Sequence, residues 1–479
     1  MRIDMGNMLP KEPASRRITG DTQFMFQFYK PCIQFYAPSP QNSVFIRRER
    51  LQNSLIVALH GCPLLFGNFV IKQDSSIYLV YDPETPNLPT VEFQNLPVTY
   101  AEMKAGGFAY SLAKKHEIDM DIPNGAITKA FDKPMLMIKV SYLADGGVAI
   151  FNMSNHVAFD GNAIFSFIAH WARCNSRPQS QLMANALPPE LESYETSLVT
   201  NTGNEPVQGP VEISVDASMT PNEIMMQTTK SVAPHDVCAC VFEISTADVA
   251  QLKQLVVDSG VLKQGEWVSS NSVLTAFIAQ SVARANTDGQ VYDIGDWTVF
   301  QSLDMRRPLG LSLGGLGSPI ILAEYQAQIS EVMDFKKLPE LARSVRKAVD
   351  RYSGEYLQNA MDWMHSTYRR MAKSGVVEPW RHFWFTALNT NRRAVGISCM
   401  NKIPIYEANF GAGRPAMARS FNPRPNYVIV FPGPPASSSS SSGSSYESLH
   451  LYVTLERPAM QALCTDTQWS LRCKLINGF

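Results

Sequence analysis

Three residues concentrate the chemistry that this 479-residue chain offers. His156, Asp160 and Gly161 spell HxxxDG at the polar end of an apolar run, Val148-Ala149-Ile150-Phe151-Asn152-Met153. A neutral imidazole can take a proton from a hydroxyl or amine as that group attacks an electrophile. A carboxylate four residues further on has two possible jobs. It can orient the ring, as in a triad, or turn away and hold a cation that fixes the loop. The residues themselves leave both open. Typical residue usage gives the pattern by chance in only ~2% of chains of this histidine content, so it is a more specific signal than a lone histidine.

The elements that must position these groups are legible around them. Val148 and Ile150 fall on one face of a strand, and Ala149, Phe151 and Met153 on the other. A strand that is apolar on both faces is buried in a sheet, and strand ends are where α/β proteins place their chemistry. Ile164, Phe167, Ile168 and Trp171 then keep the i, i+3, i+4, i+7 spacing of an amphipathic helix. His156 and Asp160 therefore sit on a strand-to-helix connection. Gly161, without a Cβ, lets the helix start pack closely against the strand.

Size and composition bound the rest. The chain is long enough for two domains with full cores. Net charge is −1, so nothing draws it to nucleic acid or anionic lipid. The first residues lack a basic-then-apolar signal pattern, and no apolar run approaches the ~20 residues that span a bilayer. Of eight cysteines only Cys238 and Cys240 are close. That leads us to expect free thiols in a reducing compartment and no zinc.

Residues 1–20 read as a loose leader, 47–65 as a helix, and 69–81 as a hairpin turning at Gln73–Ser76. Asp145-Gly146-Gly147 is the turn into the central strand. Residues 186–233 read as an exposed linker. Beyond it, Ser245 caps a helix, helices are expected over 270–285 and 338–364, and strands over 297–303 and 426–431. The serine-rich stretch 436–445 reads as a hairpin loop.

Three stretches, in this order, resemble the BAHD acyltransferases, which move an acyl group from a coenzyme A thioester to an alcohol or amine. Ser154 to Gly161 matches that family's HxxxD motif. Ser302-Leu303-Asp304-Met305-Arg306-Arg307-Pro308, followed by Gly317-Ser318, resembles its DxRxR-and-GN segment, with Ser318 where asparagine is common. Ile403 to Pro415 resembles its DFGWG motif. Here Asn409 replaces the aspartate and Ala412 the tryptophan, which puts coenzyme affinity or acyl preference in question rather than folding. The serine-rich insertion and the substituted motif are more similar to fungal members than to plant ones.

The resemblance implies an α/β fold: two chloramphenicol acetyltransferase-like domains, each a mixed sheet flanked by helices, with a channel between them. Residues 1–190 would carry HxxxDG, 191–235 the crossover linker, and 236–479 the FGxG motif. It implies His156 as general base at a catalytic motif completed by Asp160, whose carboxylate points away and pairs with Arg306. Gly161, Asp304, Arg306, Asn409, Phe410, Gly411 and Gly413 would support the site. Ser398-Cys399-Met400 aligns with a Thr-Ser-Trp of many plant members, so Ser398 would offer a hydroxyl near the oxyanion.

Acyl-CoA is expected as co-substrate, with acetyl as the acyl group, a small secondary metabolite as acceptor, and no permanently bound cofactor or metal. Arg392, Arg393 and Arg414 are candidates for the coenzyme's phosphates. A cytoplasmic monomer without nucleic-acid or membrane partners is expected. Two alternatives stand beside this reading. One is a non-catalytic member that binds acyl-CoA or a small ligand. The other is an amide-forming condensation domain, although such domains usually show HHxxxDG and this chain has Asn155 before the histidine.

Overall fold

The computed structural model describes residues 9, 11–18, 29–60, 62–72, 77–121, 133–177, 209–210, 213–216, 218, 237–287, 296–311, 315–376, 379–385, 393–420, 425–435 and 446–478. In the first half of the chain these include strands β1 (Ala14–Ile18), β2 (Tyr29–Tyr36), β3 (Asn68–Ile71), β4 (Ile77–Tyr81), β5 (Thr90–Leu96), β6 (Leu136–Leu143), β7 (Val148–Asn155) and β8 (Ile213–Val215). In the second half they include β9 (Val237–Ser245), β10 (Asp296–Asp304), β11 (Ile320–Gln328), β12 (Phe383–Phe385), β13 (Ala394–Cys399), β14 (Met417–Ser420), β15 (Tyr427–Pro432), β16 (Ser448–Glu456) and β17 (Cys473–Asn477).

Two sheets dominate. The first has the order β14-β2-β7-β6-β5, and the second β11-β10-β13-β15-β16-β9-β17. Both are mixed. β7 runs antiparallel to β2 and β6, whereas β5 and β6 are parallel. β10–β13 and β13–β15 are parallel, and the remaining pairs of the larger sheet are antiparallel.

β7 lies at the centre of the smaller sheet, and every residue of it is buried, as its two apolar faces require. Val148 and Ile150 pack toward the helix Gly161–Ser176, whereas Ala149, Phe151 and Met153 face Phe35, Met103 and Phe108. That helix buries Ile164, Phe167, Ile168 and Trp171, and the Trp171 indole N–H donates to the Leu51 carbonyl at 3.2 Å. In the larger sheet, Val299, Val395, Ile397, Val428 and Val430 face a layer built on the helices Thr246–Asp258, Ser270–Asn286 and Leu338–Asp350. The opposite face turns Phe300, Ile429 and Phe431 into the core that holds Ile150 and Phe165. The Phe431 ring meets Phe165 edge-on at 6.3 Å. The two sheets thus share one apolar seam, and the loop after β7 opens beside it.

Several sequence expectations need adjustment. The leader ends in a strand, since β1 pairs with β4 and buries Ile18. The helix expected over 338–364 is two, Leu338–Asp350 and Gly354–Lys373. Ser353 adopts an extended backbone between them, and its hydroxyl accepts the Tyr356 N–H at 3.1 Å, starting a new helix. The turn at 73–76, the serine-rich stretch 436–445 and most of the linker lie outside the described residues. The strands flanking the two turns pair antiparallel, and within the linker β8 pairs with β12. β14 crosses from the C-terminal half to the edge of the smaller sheet, where it pairs with β2.

Candidate active site

Asn155 ends β7 with its N–H on the Met135 carbonyl at 2.9 Å. Its side-chain Oδ1 then accepts the Val157 N–H at 3.0 Å, and its carbonyl accepts the Phe159 N–H at 3.0 Å. This Asx turn reverses the chain at the strand end and leaves His156 at its corner, part-buried. The imidazole Nδ1 lies 3.0 Å from Oγ of Ser318, which is fully buried. Burial holds the ring's pKa down to about 3, helped by the positive charge of Lys30 and opposed by a bond to the ring's own backbone carbonyl. The ring is therefore neutral throughout the physiological range. The tautomer that donates Nδ1–H to the Ser318 hydroxyl leaves the lone pair on Nε2.

Asp160 answers the question its sequence position left open. Its Oδ1 accepts the Ala163 N–H at 2.8 Å and so caps the helix. Arg306 grips both carboxylate oxygens, Nη1 to Oδ2 at 2.5 Å and Nη2 to Oδ1 at 3.2 Å. Both charged groups are buried, with 0% and 5% exposure. Burial raises the Asp160 carboxyl above its ordinary range against the pull of Arg306. Burial lowers the guanidinium, but Asp160 and Asp304 more than reverse that. Of the two jobs, the geometry shows the second: the carboxylate holds a cation, and a serine stands at the imidazole.

Arg306 also gathers the loop that supplies that serine. Its Nη2 donates to the carbonyls of Gly315 and Gly317 at 3.1 Å each, and Nη1 to Asp304 at 3.1 Å. Gly317 then bridges to the HxxxDG loop, donating its N–H to Ala158 O at 2.7 Å and accepting from Asp160 N at 3.1 Å. One buried cation thus joins the loop after β7 to the loop before β11 and sets Ser318 against His156.

Other expected residues take different places. Gly161 makes room for the second unit: a Cβ there would stand 2.5 Å from the Met400 sulfur. The Asn409 side-chain oxygen accepts the N–H groups of Gly411 and Gly413 at 2.9 and 3.0 Å. A neutral amide thus ties the loop that an aspartate would otherwise tie. Phe410 is fully buried and meets Trp171 edge-on at 4.7 Å, and its carbonyl accepts from Asn175 at 2.7 Å. The FGxG stretch therefore buttresses the far end of the helix that Asp160 caps. Ser398 lies in a hydroxyl cluster, 2.7 Å from the Tyr427 oxygen and 3.0 Å from that of Ser302. Arg414 is exposed, and Arg392 lies outside the described residues. The contact between Ser318 and His156 escaped the sequence reading. The only signal was its place after Gly317, where the family motif has asparagine. Lys30 carried no signal at all.

The chain is similar to known proteins in sequence and in fold. The family model described as Transferase family matches residues 94–468. Hydroxycinnamoyltransferase 2 of Oryza sativa subsp. japonica is 25% identical over 402 residues, covering 81% of this chain and 82% of that protein. Phenolic glucoside malonyltransferase 1 of Nicotiana tabacum is 24% identical, covering 76% and 75%. Among solved structures, F. graminearum TRI101 complexed with coenzyme A and T-2 mycotoxin superposes with a TM-score of 0.75 at 16% identity, covering 97% of this chain and all of that one. Vinorine synthase gives 0.61 at 16% identity, covering 98% and 96%. These last two likenesses bear on the fold, that of two chloramphenicol acetyltransferase-like domains. With a model match over most of its length and the HxxxDG loop built as described, the chain belongs to the transferase family of BAHD-type acyltransferases.

Proposed function

We propose that the protein transfers an acyl group from acyl-CoA to the hydroxyl or amine of a small acceptor, with His156 as general base. The observation that carries this reading is the neutral imidazole held by Ser318 at 3.0 Å beside the shared seam. The acceptor gives its proton to Nε2 as its oxygen or nitrogen forms a bond to the thioester carbon. The tetrahedral intermediate collapses, the carbon–sulfur bond breaks, and the departing thiolate takes the proton from the imidazolium. Ser398 supplies a hydroxyl toward the oxyanion. Asp160 is a positioning residue: it fixes the loop through Arg306 and touches neither reactant.

On this reading residues 1–190 and 236–479 form the two catalytic domains, with β14 lent to the first and the linker 191–235 between them. Donor and acceptor meet in a channel along the seam. The likeness to a hydroxycinnamoyltransferase and a malonyltransferase supports acyl transfer, and the coenzyme A in the TRI101 complex supports a thioester donor. The TRI101 complex with coenzyme A and T-2 mycotoxin supports a secondary-metabolite acceptor. Acetyl is the simplest acyl group to test. Among the described residues no helix is long and apolar enough to cross a membrane, and a cytoplasmic monomer is part of the same proposal. The test is release of free thiol from acetyl-CoA and longer acyl-CoAs with a panel of alcohols and amines. Thiol release that needs both the acceptor and His156 supports the reading. Acyl-CoA binding without turnover on any acceptor would favour a non-catalytic member.

A further inference from the structure

The strand that leads to His156 carries a polar stripe that the mechanism above does not use. Asn152 and Ser154 alternate with Phe151 and Met153 on β7, so they share the face of Val148 and Ile150 that looks into the seam. Each is 1% exposed. Neither Nδ2 nor Oδ1 of Asn152, nor Oγ of Ser154, has a hydrogen-bond partner among the described residues.

The neighbours on the same face explain why. Asn152 lies between Cys32 and Ile138, and Ser154 between Lys30 and Leu136. One step along β2, opposite Ile150, Gln34 gives its amide N–H to the Ile405 carbonyl at 2.6 Å, and its Oε1 has no partner among the described residues. Three adjacent buried side chains thus hold four unsatisfied polar atoms in a strand that could have been apolar throughout. Native interiors rarely tolerate such a cluster, because each unpaired group forfeits its hydration. A core that carries it is destabilised unless something else supplies the partners.

We propose that Asn152 and Ser154 form a substrate subsite that hydrogen-bonds a hydroxyl or carbonyl group carried at the far end of the molecule being transferred or acylated. The proposal rests on the acyl-transfer reading. Its geometry follows from strand rise: Asn152 stands about 13 Å and Ser154 about 7 Å before His156. A polar group one arylpropenoyl length from the reacting carbon reaches them, and an acetyl group does not. Asn152 offers one donor and one acceptor, and Ser154 offers both, so a phenolic hydroxyl or a carbonyl is satisfied equally well. The source is either the acyl group of the donor or the body of the acceptor.

Two ligand pairs and two variants separate these cases. Binding of cinnamoyl-CoA and 4-hydroxycinnamoyl-CoA is measured by calorimetry on the native chain, S154A and N152L. Turnover of cinnamyl and 4-hydroxycinnamyl alcohol with acetyl-CoA is measured on the same proteins. The native chain should prefer the hydroxylated member of one pair by about three- to tenfold, and the variants should bring that ratio close to one. Loss in the first pair assigns the subsite to the acyl group, and loss in the second to the acceptor. Both variants should also melt about 1–3 °C higher than the native chain, since each removes an unsatisfied buried group. A structural role predicts the reverse, a lower Tm with the ratio unchanged. The proposal is overturned if neither pair is discriminated by the native chain, or if the variants keep the ratio. Failure of either thioester to bind at all would instead overturn the acyl-CoA reading beneath it.

Discussion

Oγ of Ser318 stands 3.0 Å from Nδ1 of His156, although 162 positions separate the two residues in the chain. The contact joins the two halves of the molecule at the imidazole proposed as the general base. It turns Nδ1 toward the protein and, on the proposed mechanism, leaves Nε2 for the reactants.

Ser318→Ala should lower kcat about tenfold while changing KM for acyl-CoA little, because the ring loses its orientation and the binding surfaces remain. Ser318→Asn, which restores a polar side chain at that position, should recover most of the loss. Steady-state kinetics of the two variants checks this, and an alanine variant with native kcat would refute the positioning role.

His156→Ala should reduce turnover by about 10²–10⁴ with circular dichroism and Tm close to native. A variant as active as the parent would remove His156 as the base.

Asp160→Ala should cost roughly 3–5 kcal/mol of stability, because it leaves the fully buried Arg306 without its carboxylate. The loss appears as a lower urea midpoint and reduced soluble yield. Equal melting temperatures for the Asp160 and His156 variants would contradict the assignment of Asp160 to the scaffold.

Acid should weaken the fold before the carboxylates titrate. His156, His170 and His450 are held at about 3, 4 and 3, each mainly by burial. Each unfolded histidine titrates near 6.5. Between about pH 4.5 and 6.5 the unfolded chain therefore binds more protons than the native one, and stability falls as pH falls through that window. Urea unfolding at pH 7, 6 and 5 should show a declining midpoint. A midpoint independent of pH over this range would contradict the depressed values. The same depression predicts that kcat/KM shows no acid limb near 6.5 attributable to His156.

Gly411→Ala should destabilise by about 2–3 kcal/mol. The residue has φ +102°, and a Cβ there would sit 2.3 Å from the Phe45 ring. Activity should fall with stability, since the loop supports Phe410 under Trp171. Thermal melts check the first effect and specific activity of the folded fraction the second.

The sequence by itself determined what depends on near neighbours. The two-residue period marked β7 as buried on both faces, and the three-to-four period marked the helix after it. Together they placed His156 on the connection between them. Ser245 and the turn Asp145–Gly147 were legible for the same reason, since caps and turns are set by the few residues that form them. The order of three motifs gave the family and with it the expectation of a pair between Asp160 and Arg306.

Only the tertiary structure decided the rest. Asp160 reads the same whether it faces the imidazole or a guanidinium, and the choice is made by Arg306 arriving from 146 positions away. Ser318 looks like any serine after a glycine until Gly317 bridges to Ala158 and Asp160. Gly161 was expected to ease contact with its own strand, yet the space is taken by Met400 of the other unit. Asn152 and Ser154 were polar interruptions in an apolar run, and only the assembled sheet shows them buried with no hydrogen-bond partner among the described residues. Local periodicity is written into backbone geometry and side-chain hydration along the chain. The partner of a buried polar group is fixed by how two sheets dock, which no stretch of sequence contains.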